Sequence, residues 1–399
     1  MLNRLSKFFT IPLLIIGIIS CDENPTSLGS NLLPNKDLVN VTQINSLNSE
    51  FQQKNRFYNS DTLDLATSTK VFLGKNGNVE STMLMKFLFF FPDSIKQAII
   101  GDSLILKSAF VEMEPTYTKG NPNSDFHFSV HQVKSDWNSL DFTVYDLPNL
   151  EFNVEDVGAN YVNSSDTLIK FDLDKTLVES WLKLFSTSNQ QSNYGVYFNF
   201  ETGTDKIFGF DAISTSSQIN LTRLKLIVEV PNRYIDTLKA LVTSDIHVVK
   251  GTLPTTNNNN IFVQGGIPIH SNLFIDVSKI PKYSIINKAT LKLFIDENES
   301  GIGTVKSNFL KVALLNDYEL SQINKNYSTI NLELDSSSFY TGDITKYVQE
   351  WISNGNNGMK LSVADEVESL NKIAIFGSDN SDLKLRPYLE IIYTSKNWE

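Results

Sequence analysis

The spacing of apolar residues along the first half of the chain is mostly that of β-strands. Residues 83–91 form an almost unbroken apolar run that Pro92 closes, which is typical of a strand buried on both faces. Residues 103–113 and 125–133 alternate apolar and polar side chains, as half-buried strands do. Only residues 176–185 carry apolar side chains at helical spacing. One short helix among about eight strands predicts an all-β sandwich rather than an α/β fold.

The same succession of segments occurs twice. A helical turn containing Val-x-x-Trp, a strand that starts at glycine and an alternating closing strand follow one another in both halves. The segments are 173–182, 195–200 and 221–230 in the first half and 343–352, 358–363 and 384–393 in the second. Residues 372–376 likewise match residues 206–210. This repetition predicts two tandem modules, at 38–232 and 233–396, with the seam where Pro231 ends a strand and polar residues follow.

The N-terminus has the pattern of an export signal. A short positive region precedes the apolar run 8–19, which is shorter than the roughly 20 residues that a membrane-spanning helix needs. The run ends in Ser20-Cys21, which resembles the lipobox of bacterial lipoproteins. The resemblance implies a signal peptide at 1–20, acylation of Cys21 and an acylated N-terminal tether at 21–37. The alternative is an ordinary signal peptide with an incidental cysteine.

The tether itself resembles that of certain lipoproteins of Bacteroidota. Those proteins carry acidic residues after the lipid-bearing cysteine and then a Leu-Gly…Leu-Leu-Pro segment, as this chain does at Asp22-Glu23, Leu28-Gly29 and 32–34. The resemblance implies a lipid-anchored protein of the cell outer membrane. It favours exposure at the cell surface and leaves the periplasmic side open.

Each module resembles the DNRLRE-type domains and the related alginate-binding carbohydrate modules, which are jelly-roll sandwiches. In the first module the matching positions lie within residues 68–231: Ser103 with the strand it opens, Trp137, Val178, Trp181, Gly195 and the closing strand. In the second module Arg386-Pro387 matches the family's closing strand, but only Tyr318 stands near the place of Trp137. The resemblance implies two jelly-roll β-sandwich domains, each with one short helix.

Charge argues against one class of ligand, and cysteine content excludes internal disulfides. The net charge is −11, and removal of the signal peptide with its Arg and Lys makes it −13. An acidic chain without a basic stripe does not bind nucleic acid, because phosphate backbones are repelled. Cys21 is the only cysteine, so no internal disulfide can form.

Aromatic residues in polar stretches are the candidate ligand-binding residues. The face of an aromatic ring can pack against the apolar face of a sugar ring. Trp181 and Trp351 recur at one position of an apolar helical face, which predicts a place in the core instead. Four tyrosines in segments whose composition predicts polar loops are the residues predicted to bind ligand: Tyr117, Tyr145, Tyr161 and Tyr340.

One segment resembles part of a calcium loop. Asp296, Asn298 and Ser300 place oxygen atoms at positions 1, 3 and 5, and Gly301 follows at position 6. Position 12 is Ser307 instead of a bidentate glutamate, so the alternative is a turn between two strands. Modules of this class often carry a structural calcium ion. We predict no other cofactor.

No catalytic arrangement can be assembled from the sequence. Gly101-Asp-Ser103-Leu104 spells the block of one esterase family, but that family also needs Asp-x-x-His, which is absent from this chain. His127 and His131 alternate with apolar residues, which predicts an outward strand face on which they lie roughly 13 Å apart, too far to share a metal ion. We therefore predict that the protein is not an enzyme.

The sequence favours non-catalytic binding of a polysaccharide or glycoconjugate at the cell surface. The alternative is a structural or assembly component of the outer membrane that docks protein partners. Both functions fit a lipid-anchored chain of two sandwiches, and neither the glycan nor the partner can be named from the residues.

Overall fold

The structure is a computed structural model. It describes residues 39–47, 51–59, 63–164, 167–213, 222–254, 259–335 and 338–396. The predicted signal peptide, Cys21 and the whole of the predicted tether therefore lie outside the described residues. Within the ranges given, no helix combines the length and the apolar character needed to cross a membrane.

The described residues between 39 and 250 form thirteen strands and two α-helices. Helices α1 (Asp93–Ile100) and α2 (Lys175–Ser186) are both short. The strands are β1 (Val39–Asn45), β2 (Gln53–Asn59), β3 (Lys70–Asn76), β4 (Val79–Leu88), β5 (Ile105–Met113), β6 (Pro115–Gly120), β7 (Phe128–Gln132), β8 (Gly158–Ser164), β9 (Leu168–Leu173), β10 (Val196–Phe200), β11 (Lys206–Asp211), β12 (Arg223–Val230) and β13 (Tyr234–Lys250).

The rest of the described chain adds ten strands and one helix. The helix is α3 (Thr345–Asn354). The strands are β14 (Asn260–Gln264), β15 (Ile269–Ile275), β16 (Ile285–Phe294), β17 (Phe309–Asp317), β18 (Gln322–Ile323), β19 (Ile330–Asp335), β20 (Phe339–Asp343), β21 (Met359–Val363), β22 (Lys372–Phe376) and β23 (Tyr388–Lys396).

The strands form two large antiparallel sheets, each rolled around its own apolar core, so the predicted all-β sandwich fold is confirmed. We call strands β3–β13 the first sandwich, and strands β1, β2 and β14–β23 the second sandwich. In the first, β11-β3-β4-β10-β7 and β12-β5-β9-β8 pair in these orders. In the second, β22-β14-β15-β21-β17 and β23-β16-β20-β19 pair in the same orders. The repeat seen in the sequence is thus a repeat of strand topology.

One helix in each sandwich closes one end of the core. The carboxylate of Asp174 accepts a hydrogen bond from the backbone N–H of Leu177 (2.8 Å) and so begins α2. Trp181 on α2 and Trp351 on α3 are both buried within their cores, which confirms the interpretation of the Val-x-x-Trp turns.

Strand pairing divides the chain differently from the predicted seam. The chain turns back at Asn232, between β12 and β13, where a φ of 62° permits a tight turn. Strand β13 then pairs with β12 and with β4 of the first sandwich. Strands β1 and β2 pair with β23 and β15 of the second sandwich. Strands β1 and β2, at the start of the predicted first module, therefore complete the second sandwich. Strand β13, at the start of the predicted second module, completes the first. We call this arrangement the strand exchange.

The match between residues 372–376 and 206–210 is wrong by one residue. Phe208 and Phe210 belong to the first core, whereas Ile373 and Ile375 belong to the second. Since side chains alternate between the faces of a strand, Phe208 corresponds to Ile373 and not to Ala374. The sequence match aligned Lys206 with Lys372, whereas the burial of the side chains shows which residues of the two strands correspond.

The two sandwiches contact each other through a third apolar cluster. Phe72 packs edge-on against His247 (centroids 5.0 Å apart), and Phe262 packs edge-on against Phe57 (5.3 Å). The two pairs are equivalent, because His247 lies on β13, which pairs with β4, and Phe57 lies on β2, which pairs with the corresponding strand β15. A Cβ atom at Gly209 would lie 2.7 Å from the ring of Phe72, so glycine is required there. Two of the exchanged strands, β13 and β2, thus lie at the contact between the sandwiches.

Lys119 is a buried cation at this contact. Its Nζ donates hydrogen bonds to the carbonyl oxygens of Gly301 (2.6 Å) and Leu370 (2.9 Å) in the second sandwich. Burial, together with the charge of Lys372, lowers the pKa of Lys119 from 10.5 to about 8. Between these values the unfolded chain holds a proton that the folded chain has released. Stability linked to Lys119 therefore rises as the pH rises from about 8 towards 10.

We expect Lys119→Met to remove this pH dependence. The urea midpoint of the parent protein should rise relative to that of the variant between pH 8 and 10. Ionisation of tyrosines in the unfolded chain near pH 10 is common to both proteins, so it cancels in the difference. Lys239→Met, at an exposed position, is the control and should retain the parent slope. Equal slopes in all three proteins would contradict a depressed pKa for Lys119.

Candidate binding face of the second sandwich

One face of the second sandwich carries polar side chains on four neighbouring strands. Arg56 of β2 lies opposite Asn272 of β15, and Asn272 lies opposite Lys360 of β21. Tyr58 lies opposite His270 in the next row. Their neighbours along each strand, such as Leu273 and Leu361, point into the core, so the polar residues point outwards. We call the following set the polar face: Arg56, Tyr58, His270, Asn272, Lys311 and Lys360.

The equivalent face of the first sandwich is apolar and covered. Its corresponding row runs from Ile246 through Leu84 and Tyr197 to His131. The segment 133–152 packs over this row and contributes Trp137 and Leu150 to an apolar cluster. The indole N–H of Trp137 donates to the carbonyl oxygen of Tyr194 (2.8 Å), which holds the cover in place.

A shorter segment lies at the corresponding place in the second sandwich. The turn between β17 and β18 carries Tyr318, whose ring packs edge-on against Phe274. The side-chain amide of Asn272 donates to the carbonyl oxygen of Tyr318 (2.7 Å) and to the hydroxyl of Ser321 (2.8 Å). Arg56 also donates to the carbonyl oxygen of Tyr318 (2.7 Å). This turn covers one edge of the polar face, and Tyr318 takes the place of Trp137 as the sequence predicts.

Several buried polar atoms of the polar face have no hydrogen-bond partner in the structure. These atoms are Nε of Arg56, Nδ1 of His270 and Oδ1 of Asn272. His270 and Asn272 are 4% and 0% exposed. A buried polar atom without a partner costs about 1–3 kcal/mol, so such atoms are expected to acquire partners from water or a ligand. Their grouping beneath one strand face makes this face the candidate binding surface of the second sandwich.

The polar face is cationic in an otherwise acidic chain. Arg56, Lys311 and Lys360 all lie on it, and burial lowers the pKa of Lys360 from its ordinary value. Its nearest carboxylates are already engaged, since Glu366 contacts Nε2 of His270 and Glu319 lies 3.4 Å from Arg56. Burial also raises the pKa of Tyr58. The face therefore presents donors and positive charge, which is suited to anionic, hydroxyl-rich ligands.

The tyrosines predicted to bind ligand do not come together. Tyr117 lies in β6 and Tyr340 in β20, each 1% exposed, so their assignment to polar loops is wrong. The hydroxyl of Tyr340 donates to the carbonyl oxygen of Ser307 (2.6 Å), and Tyr117 packs between the sandwiches. The alternation around both tyrosines is that of buried strands, which the surrounding polar residues obscured.

Tyr161 and Tyr145 lie elsewhere on the first sandwich. The ring of Tyr161 packs against Phe128 and Phe171, and its hydroxyl donates to Asp156 (2.9 Å), so little of the ring is available to a ligand. Tyr145 is 74% exposed, as predicted, and stands at the mouth of a cavity of about 700 Å³ between the sandwiches.

The segment predicted to hold calcium forms a turn closed by its own hydrogen bonds. The carboxylate of Asp296 accepts hydrogen bonds from the side chain of Asn260 (2.9 Å) and from the backbone of Asn298 (3.2 Å). The hydroxyl of Ser300 donates to the carbonyl oxygen of Asp296 (2.7 Å). Within the described ranges no three His, Cys, Asp or Glu side chains group around a possible metal position. The calcium site stays a prediction.

The residues considered for catalysis are also placed by the structure. The hydroxyl of Ser103 donates to the carbonyl oxygen of Ala98 (3.1 Å). His127 is exposed as expected. His131 lies on the predicted outward strand face, but the face is covered there, so its ring is not solvated: it is buried and contacts the hydroxyl of Ser129 (2.9 Å). Residues 152–155 cover that part of the strand face, and the backbone oxygen of Asn153 lies 3.1 Å from the other ring nitrogen.

Comparisons of the chain with protein-family models, with curated proteins and with solved structures give no match. The fold is therefore established by the structure alone. The resemblances to lipoproteins and to carbohydrate-binding modules stay predictions.

Proposed function

We propose that this chain is a lipid-anchored envelope protein that binds an acidic polysaccharide, without catalysis, through the polar face. The observation that supports this most is the contrast between the two sandwiches. The same strand face is apolar and covered in the first, and cationic, half-buried and rich in unpaired polar atoms in the second.

The groups on the polar face match the chemistry of such a ligand. Arg56, Lys311 and Lys360 supply positive charge for carboxylate or sulfate groups, and charge-assisted hydrogen bonds are among the strongest in proteins. Beneath these charges, Asn272 and His270 carry unpaired polar atoms that are buried. Four strands at about 4.8 Å spacing make a surface roughly 14 Å across, which suits a chain-like ligand.

The carboxylates support binding rather than hydrolysis. Glycoside hydrolysis uses two carboxyl groups that flank the bond to be cut. At the polar face Glu366 is bound to His270, and Glu319 is paired with Arg56 and Lys54. Neither carboxylate is left free to act as acid or nucleophile.

The proposed location rests on the sequence. Acylation of Cys21 would hold the sandwiches at the outer membrane through the tether, and several acyl chains give stable anchoring. The sandwiches would then face the polysaccharides of the cell surface.

We expect the double variant Lys311→Met, Lys360→Met to lose binding to acidic polysaccharides by about tenfold or more, since a hydrogen bond to a charged group contributes about 1.5–3 kcal/mol. Electrophoretic retardation in gels containing alginate, another uronate polymer or neutral dextran measures this. The parent protein should be retarded by acidic gels only.

The control variant is Lys175→Met, Lys183→Met, which removes the same charge from exposed positions on α2. It should bind like the parent. Equal loss in both variants would indicate a non-specific charge effect. Absence of retardation in every acidic gel would overturn the proposed ligand and favour a role in envelope assembly, to be tested by cross-linking in cells.

A further inference from the structure

A second surface, on the other end of the second sandwich, combines apolar and basic side chains. Val39 and Val41 of β1 are 61% and 70% exposed, and Tyr283 and Ile285 are 77% and 65% exposed. Val41 and Ile285 both lie opposite Thr394, so they flank it at about 5 Å on either side. Three exposed lysines lie along the same segment of chain. We call the following set the β1 patch: Val39, Val41, Lys279, Lys282, Tyr283, Ile285 and Lys288.

The charge of the β1 patch is opposite to that of the chain. The protein carries a net charge of −11, yet Lys279, Lys282 and Lys288 are all exposed here. The carboxylate on the neighbouring part of the sheet, Glu390, accepts a hydrogen bond from Gln43 (2.8 Å). Exposed apolar side chains among lysines, with a tyrosine, are typical of surfaces that lie on anionic lipid.

The equivalent place on the first sandwich differs in one decisive respect. Ile105 and Ile235 flank Glu229 there, as Ile285 and Val41 flank Thr394. Glu229 forms an ion pair with Lys107 (2.7 Å). A carboxylate at the centre of this pair would be repelled by lipid phosphates. The chain therefore offers a matched control surface of the same strand geometry.

The β1 patch lies next to the predicted lipid tether in the chain. Val39 opens the first described strand, and only 17 residues separate it from Cys21. A fully extended stretch of that length reaches at most about 60 Å. If Cys21 is acylated, which is part of the proposed function, the β1 patch is where the folded protein joins its tether.

We propose that the β1 patch docks on the membrane surface, against anionic phospholipid head groups. Val39, Val41, Tyr283 and Ile285 enter the boundary between head groups and acyl chains, and the lysines contact the phosphates. The second sandwich then lies against the bilayer instead of moving freely on its tether, which fixes the orientation of the polar face.

Fluorescence quenching tests the docking. The mature acylated protein is reconstituted in vesicles of phosphatidylethanolamine and phosphatidylglycerol, with Ile285→Cys or the control Ile105→Cys carrying an environment-sensitive fluorophore. Acylation occupies the sulfur of Cys21, so the introduced cysteine is the one reactive thiol. We expect spin-labelled lipid to quench the fluorophore at 285 strongly and that at 105 weakly. Lys279→Glu, Lys282→Glu, Lys288→Glu in combination should reduce the quenching at 285.

The outcomes separate the docking from the anchor. A parent protein whose Cys21 still reacts with thiol reagents would overturn the anchor and the docking together. An unreactive Cys21 with equal quenching at 285 and 105, or none at 285, would overturn the docking alone. A fluorophore at 285 that is shielded equally without vesicles would assign the β1 patch to a second copy of the chain or another protein, and would also overturn the proposal.

Discussion

A chain that begins at Leu63, and so lacks β1 and β2, is expected to lose the folded second sandwich while the first stays folded. The strand exchange predicts this, because β1 and β2 pair with β23 and β15 rather than with the module that follows them. The removed segment includes Phe51 and Phe57, and Asn55, whose side chain accepts hydrogen bonds from Ser378 (2.7 Å).

The expected effect is close to the whole stability of a domain. Truncating one buried phenylalanine costs about 3–5 kcal/mol. Domains are commonly stable by about 5–15 kcal/mol, so losing the buried Phe51, the half-buried Phe57 and two strands of the sheet is enough to unfold one. Calorimetry should show a single, smaller transition, and limited proteolysis should cut within 260–396 and spare 70–250.

Two further chains make this test specific. A chain that begins at residue 39 keeps every described strand and should melt like the parent. A permuted chain, in which residues 39–59 follow Lys396 through a turn copied from 231–233, should regain the second sandwich, because Val39 already lies opposite Lys396. Normal folding of the chain that begins at Leu63 would contradict the strand exchange.

His247→Phe is expected to make the protein markedly more resistant to acid. His247 is 1% exposed, and neither ring nitrogen has a partner in the structure. Burial lowers the pKa of His247 from 6.5 to about 3. Between these values the unfolded chain binds a proton that the folded chain cannot, so stability falls as the pH falls from about 6.5 towards 3. Phenylalanine occupies the equivalent position at Phe57, which indicates that the contact accepts it.

Urea unfolding at neutral pH and near pH 4 measures this effect. The midpoint of the parent should fall more than that of His247→Phe. Asp245 on the same strand acts in the opposite direction, because burial raises its pKa to about 6, but it is present in both proteins. His127→Phe, at an exposed position, should behave like the parent. An unchanged acid dependence in His247→Phe would show that His247 gains a proton without unfolding.

The fold could be predicted from the sequence because local periodicity decided it. Residues 103–113 and 125–133 contain β5 and β7, and residues 176–185 lie within α2. The seam at Pro231 was harder to interpret, since a polar turn within a hairpin has the same composition as a linker between domains. The pairing of β13 with β12 depends on the conformation at Asn232, which composition does not reveal.

The polar face could not be predicted, because its residues are distant in sequence. Arg56, Asn272 and Lys360 become neighbours only when β2, β15 and β21 pair. A local signal existed, since Lys54, Arg56 and Tyr58 alternate with buried or half-buried residues in β2. The sequence showed that these side chains share one face of a strand. It did not show which strand they would lie beside.

The strand exchange also sets the order in which the chain can fold during its synthesis. Every strand of the first sandwich is present once residue 250 has emerged. Strands β1 and β2 are made first, yet β2 must wait for β15, and the partner of β1, strand β23, is made last. The hydrogen bond from Gln43 to Glu390 spans 347 residues. Contacts that distant form slowly. Strand β2 must therefore stay unpaired until β15 has been made, and β1 must stay unpaired, and protected from aggregation, until the last strand arrives.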